Sequence, residues 1–268
     1  MRIARTNVQL YNQLRAEGRP PEELALVKRA YDFLATMYPG YYQADGKPFP
    51  AHGVGVASAV AHLGVPAEFV ATALLHNIYG NGDFGDGRAS AVTRKRRRLV
   101  QDAIGERIES LVIRFRDCRV SPETIERIEG SLDDLDADER NLVLIDLADH
   151  LEKYVDLGVL YFGDNLWMTE RTEQYGKNLV TIARRLDQEK LADLLERSFE
   201  EVALASPDFP EFLKSPPDRR YLALFVPRSC RRRFLPWVRH VSQAARNKAR
   251  LRTRLRDRQK RRTDSNQA

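Results

Sequence analysis

Residues 45–80, DGKPFPAHGVGVASAVAHLGVPAEFVATALLHNIYG, hold two helix signals in close succession. Asp45-Gly46-Lys47-Pro48 has the chemistry of a turn. A helix is expected from about Ala51 to Leu63, stopped by Gly64. The next starts at once, because Pro66 suits a first turn and Glu68 suits the positive end of the helix dipole. It is expected to run through FVATALLHNIY to Gly80. Upstream, residues 22–38 place Leu24, Val27, Ala30, Tyr31, Leu34 and Met37 at helical spacing, and Tyr38-Pro39-Gly40 ends that helix. Downstream, GNGDFGDGR at 80–88 is a glycine-rich loop. Helices are expected over 91–116, 122–131, 139–158, 165–187 and 188–204. No run alternates as a strand would, and no fixed-period repeat is present. The expected fold class is all-α.

The chain has 268 residues, 43% hydrophobic and 31% charged, which suits a soluble globular protein. No stretch reads as a signal-peptide core or a transmembrane segment, and the longest apolar candidate is YLALFVP at 221–227. Cys118 and Cys230 form no CxxC pair, which argues against a disulfide framework or zinc knuckle and fits a cytoplasmic location. The net charge of +6 is unevenly spread. From Arg228 to the C-terminus, fifteen Lys and Arg face only Asp257 and Asp264, so this segment carries +13 and the preceding residues −7. The expected organisation is a helical domain over 1–205 with its core at 28–160, a proline-rich connector at 206–227 and a basic tail at 228–268. The tail reads as a solvated extension, an arm that docks on an anionic membrane surface, or a nucleic-acid contact. Phe234, Leu235 and Trp237 would serve the membrane reading, which would make the protein peripheral to the membrane.

The chemistry-bearing residues fall on these helices. His52 opens the second helix, and His76 sits in the last turn of the third, beside Asn77. Asp149 lies in LVLIDLADHLEKY at the edge of a stripe formed by Leu144, Leu147, Ala148, Leu151 and Val155. A carboxylate there calls for a cation.

These residues and the 45–80 stretch resemble the HD superfamily of metal-dependent phosphohydrolases, above all the hydrolase domain of RelA/SpoT-type alarmone enzymes. The likeness continues through TRKRRRLVQDAIGERIESLV and LVLIDLADHLEKYVDL, some 130 residues with the elements in order. It implies an HD-domain-like helical bundle with a basic C-terminal extension. It also implies a divalent metal, manganese or another transition ion, held by His52, His76, Asn77 and Asp149. Such an ion would polarise a phosphoryl oxygen and acidify a water.

Two departures bear on activity. Where the superfamily pairs Asp with the second His, this chain has Asn77, which brings no charge. Where alarmone hydrolases follow with Glu-Asp, it has Gly80 and Asn81. HNIYG is more similar to the His-Asn and His-Ser forms of uncharacterised HD-like relatives. Asp83 is the candidate to replace the missing catalytic carboxylate, with Asp86 as a second choice. Lys47 and Arg88 are the candidates to bind a substrate phosphate. The run Arg94–Arg98 reads as a solvated face with one or two members near the site. Asp146 and Glu152 read as a solvated stripe with Lys153, the alternative being that one of them orients a ligand histidine. His150 reads as a surface residue. Two functions remain open: a divergent phosphohydrolase acting on a nucleotide or other small phosphorylated ligand, or an HD-fold module that binds without hydrolysis.

Overall fold

The structure is a computed structural model. It describes residues 2–214 apart from 44, 87, 89, 122, 123 and 163–165, together with Val238 and Ser242; for 166–175 it describes the backbone. The readings of residues 228–268 as a basic arm for lipid or nucleic acid therefore fall outside the described residues, save for those two positions.

The protein is all-α, and no strand occurs among the described residues. Helix α1 spans Asn7–Ala16, and its start is fixed by a capping box in which Thr6 accepts from the Gln9 amide while the Gln9 side chain accepts from the Thr6 backbone. Helix α2, Pro21–Met37, carries Pro at its first position and buries Val27, Ala30, Leu34 and Met37. Helix α3, Phe49–Ala61, is almost wholly buried and packs against α4, Ala67–Leu75. The chain then breaks at His76 and Asn77, and a single turn, α5, covers Ile78–Asn81.

Helix α6, Arg94–Ile104, is capped by Thr93, whose side chain accepts from the Arg96 amide. Helix α7 spans Glu106–Arg114 and α8 spans Ile125–Ser131. Helix α9, Ala137–Tyr154, starts at a capping box between Asp136 and Glu139 and packs along α3. A 3₁₀ segment at Val155–Phe162 leads to α10, Leu166–Arg185, and α11, Glu189–Ala205, which pack on each other. None of these helices is long and apolar enough to cross a membrane.

Two expected helices are divided. Residues 91–116 form α6 and α7, because Gly105 adopts φ +90°, a conformation that ends a helix and that L side chains avoid. The helix expected to reach Gly80 stops at Leu75, which turns His76 and Asn77 away from a regular helical course. Helix α1 has no counterpart among the expected elements, although T6-x-x-Q9 is a capping-box sequence. It places Leu10 and Leu14 in the core and packs on α3.

Candidate metal centre

Three helices deliver three side chains to one buried point. His52 comes from the first turns of α3, His76 from the residue that caps α4, and Asp149 from the middle of α9. They are 1%, 5% and 1% exposed. One ligand-capable atom from each lies within 4.8 Å of the others, and together they could hold a metal ion.

Hydrogen bonds on the far side of each ring fix how the histidines face this point. His52 Nδ1 lies 2.5 Å from Glu152 Oε2, so it carries the proton and donates it. His76 Nδ1 lies 2.6 Å from the Ala73 carbonyl oxygen and donates to it. Both Nε2 lone pairs are thereby directed at Asp149 Oδ1, at 3.1 Å from His52 and 3.4 Å from His76. Donors bound to one transition ion at about 2.1 Å are roughly 3–3.5 Å apart at octahedral or tetrahedral angles. The two spacings to Asp149 Oδ1 fall in that interval, and the three atoms together lie within 4.8 Å of one another. His52 Nε2 and Asp149 Oδ1 are buried without an aligned hydrogen-bond partner, which is costly for a nitrogen and a carboxylate oxygen away from water. A cation at their common point satisfies both, so the donor set fits a divalent ion.

The charges around this point favour a cation, either a second proton on His52 or an ion in its place. Burial pulls the His52 pKa down, but the charges and hydrogen bonds of Glu152 and Asp149 outweigh it and leave the pKa above its ordinary value. For Asp149, burial pushes upward and is overcome by Lys153 and the two histidines, so the carboxyl stays ionised far below its usual range. Lys153 Nζ holds the other oxygen of Asp149 at 2.5 Å, which leaves Oδ1 to the site.

Glu152 is 0% exposed and fully engaged. Its Oε2 meets His52, while Oε1 accepts from Lys47 Nζ at 2.5 Å and Arg5 Nη1 at 3.2 Å. This is a carboxylate that orients a ligand-capable histidine, not a member of a solvated stripe. Asp146, also 0% exposed, accepts from the Val120 amide at 2.9 Å and lies 3.6 Å from Arg119 Nε. His150 is buried as well, at 6% exposure. The surface assignments of Asp146, Glu152 and His150 are corrected for one reason. Helix α9 is enclosed on several sides by α3, α4, α7, α10 and α11, so it has no broad solvated face at this level.

The remaining expected site residues are placed as follows. The Asn77 amide nitrogen donates to His76 Nε2 at 2.7 Å, so here Asn77 offers a donor to the lone pair that an ion would take. Lys47 is bound to Glu152 behind His52. Arg88 is exposed, and its carbonyl accepts from Arg96. Asp83 accepts from the Gly85 amide at 2.7 Å within its own loop. Asp86 is paired with Arg96, which is 2% exposed and stacks 4.4 Å over the Phe84 ring. The inward member of the basic run thus clamps the glycine-rich loop.

Two arginines that the sequence reading did not single out lie beside the candidate metal centre. A pocket of about 170 Å³ opens beside His76 and Asn77, and Arg116 and Arg119 line it from the end of α7. Arg116 is exposed and has no ion pair among the described residues. Their signal was the RFRDCR segment that follows the apolar face of α7, too short a basic pattern to stand out beside the run at 94–98.

Residues 33–119 match the family described as a domain of unknown function (DUF6817). The matched stretch includes His52, His76, Asn77 and both pocket arginines, and it ends before α9, which supplies Asp149 and Glu152. The DUF6817 description assigns no activity. No curated protein matches the chain.

Proposed function

We propose that the chain is a divergent HD-type metal-dependent phosphohydrolase acting on a nucleotide or another small phosphorylated metabolite. The observation that carries this reading is the convergence of two imidazole lone pairs and one carboxylate oxygen beside an arginine-lined pocket. His52, His76 and Asp149 would hold a divalent ion of the manganese type, since imidazole nitrogen and carboxylate oxygen suit such ions. When bound, the ion supplies Lewis acidity toward a phosphoryl oxygen and lowers the pKa of water.

The chain's own residues do the rest. Arg116 and Arg119 receive the phosphate by charge-assisted hydrogen bonds, and Asp146 steadies Arg119 from behind. Glu152 holds the tautomer and orientation of His52, and Phe115 walls the pocket beside His76, with ring centroids 5.4 Å apart. Lys153 neutralises half of Asp149 without occupying the oxygen that faces the histidines.

A second reading has its own support. Asn77 brings no charge and occupies the His76 lone pair, which favours a module that binds a phosphorylated ligand without turning it over. The test is phosphate release from a panel of nucleotides with manganese, comparing the wild type with His76→Ala and Arg116→Ala. The hydrolase reading predicts release by the wild type, its loss in His76→Ala and a raised KM in Arg116→Ala. Ligand binding that needs Arg116, with no release under any condition, would establish the non-hydrolytic module instead.

A further inference from the structure

A second cavity, of about 380 Å³, lies between the N-terminal segment, the end of α9 and α11. Its volume is in the range of small-molecule sites. Three arginines line it, Arg2, Arg5 and Arg197, together with Asp156 and Glu201. Arg5 is paired with Asp156 and also reaches Glu152, while Arg197 lies 3.8 Å from Glu201. The Arg2 guanidinium has no ion pair among the described residues. Ser198 also lines the cavity. It is 5% exposed, and its hydroxyl makes no hydrogen bond to any described residue. Ile3, Leu151, Val155 and Leu194 supply the apolar part of the lining.

We infer that this cavity is a binding site for a small phosphorylated organic molecule, separate from the metal centre. Planar guanidinium forks match the oxygens of a phosphate, and the Ser198 hydroxyl on the same lining adds a further donor. The apolar part of the lining takes the uncharged body of the ligand. The wall changes backbone course at the same place: Asp156 and Leu157 both hold left-handed φ values of +58°. Arg5 belongs to both the cavity and Glu152, so one guanidinium is shared between the ligand's place and the carboxylate that orients His52.

The test uses the full chain with Arg116→Ala and Arg119→Ala, in excess EDTA, so that neither a metal nor the first pocket contributes. The probes are inorganic phosphate and adenosine 5′-monophosphate, with adenosine as the uncharged control, read by calorimetry. The expected result is saturable binding of adenosine 5′-monophosphate, weaker binding of phosphate and none of adenosine. Adding Arg2→Ala and Arg197→Ala should weaken it at least tenfold. Glu201→Gln removes a carboxylate from the wall and should tighten it several-fold, a gain that misfolding cannot imitate. The basic segment 228–268 is the same in all variants, so any weak anion binding there cancels in the comparison. Absence of saturable binding, or an affinity that ignores Arg2, Arg197 and Glu201, overturns the assignment.

Discussion

Glu152 shows how much one buried side chain decides. Its carboxylate is satisfied by His52, Lys47 and Arg5 together, and it keeps its pKa below the ordinary value despite burial, because the charges beside it outweigh the desolvation. Removing the charge while keeping the shape should loosen His52 without unfolding α9. Glu152→Gln is therefore expected to weaken manganese affinity about 10- to 100-fold, the usual cost of losing a carboxylate behind a ligand histidine. Calorimetric titration measures this, and an unchanged affinity would mean that His52 does not bind the ion. Asn77→Asp should act in the opposite sense. It replaces a donor on His76 Nε2 with an anionic oxygen, and a tenfold gain corresponds to about 1.4 kcal/mol. Spacing in the sequence placed Asp149 and Glu152 on one face but could not say what that face met.

At the scale of elements, the close approach of α3 and α9 depends on a missing side chain. A Cβ on Gly55 would lie 2.6 Å from Glu152 Cγ, so the glycine makes room for the carboxylate that His52 needs. Gly55→Ala is expected to destabilise the protein by about 1–3 kcal/mol through overpacking and to lower metal affinity at the same time. Thermal unfolding with and without manganese would show both effects, and a variant with full stability and affinity would contradict this packing. Helices α2, α3, α4 and α9 were legible because their apolar spacing and their Pro and Gly punctuation are local signals. The break at His76-Asn77 was not, since the apolar run FVATALL continues up to it without a Pro or Gly; the break at Gly105 had a local signal in the glycine itself, which the helical spacing on either side of it masked. Helix α1 was hidden by its weak amphipathic pattern, with only Leu10 and Leu14 reaching the core. Of the candidate site, His52, His76 and Asp149 were found as a set. Arg116 and Arg119, which line the pocket beside His76, lie some 40 residues further along the chain, a distance that a one-dimensional reading could not close, while Lys47 is bound to Glu152.

For the whole molecule, the buried charges make stability depend on pH in a definite direction. Stability from protonating His52, whose folded pKa is raised, is fully present below the unfolded value of about 6.5 and is lost as pH rises through the folded value. Asp149 and Glu152 have lowered folded values, so their contributions are present above the unfolded values near 4 and are lost as pH falls through the folded ones. The metal-free protein should therefore be most stable in mildly acidic solution and lose stability toward alkaline pH. Manganese competes with the His52 proton, so the stabilisation it confers should grow as pH rises. Thermal unfolding between about pH 5 and 9, with and without manganese, checks both trends. A metal effect independent of pH would contradict them. The central claim is the ion itself, and anomalous diffraction from crystals grown with manganese tests it most directly. The account predicts one anomalous peak at about 2 Å from His52 Nε2, His76 Nε2 and Asp149 Oδ1, absent in His76→Ala crystals. Crystals saturated with manganese that show no peak at these three atoms would contradict it.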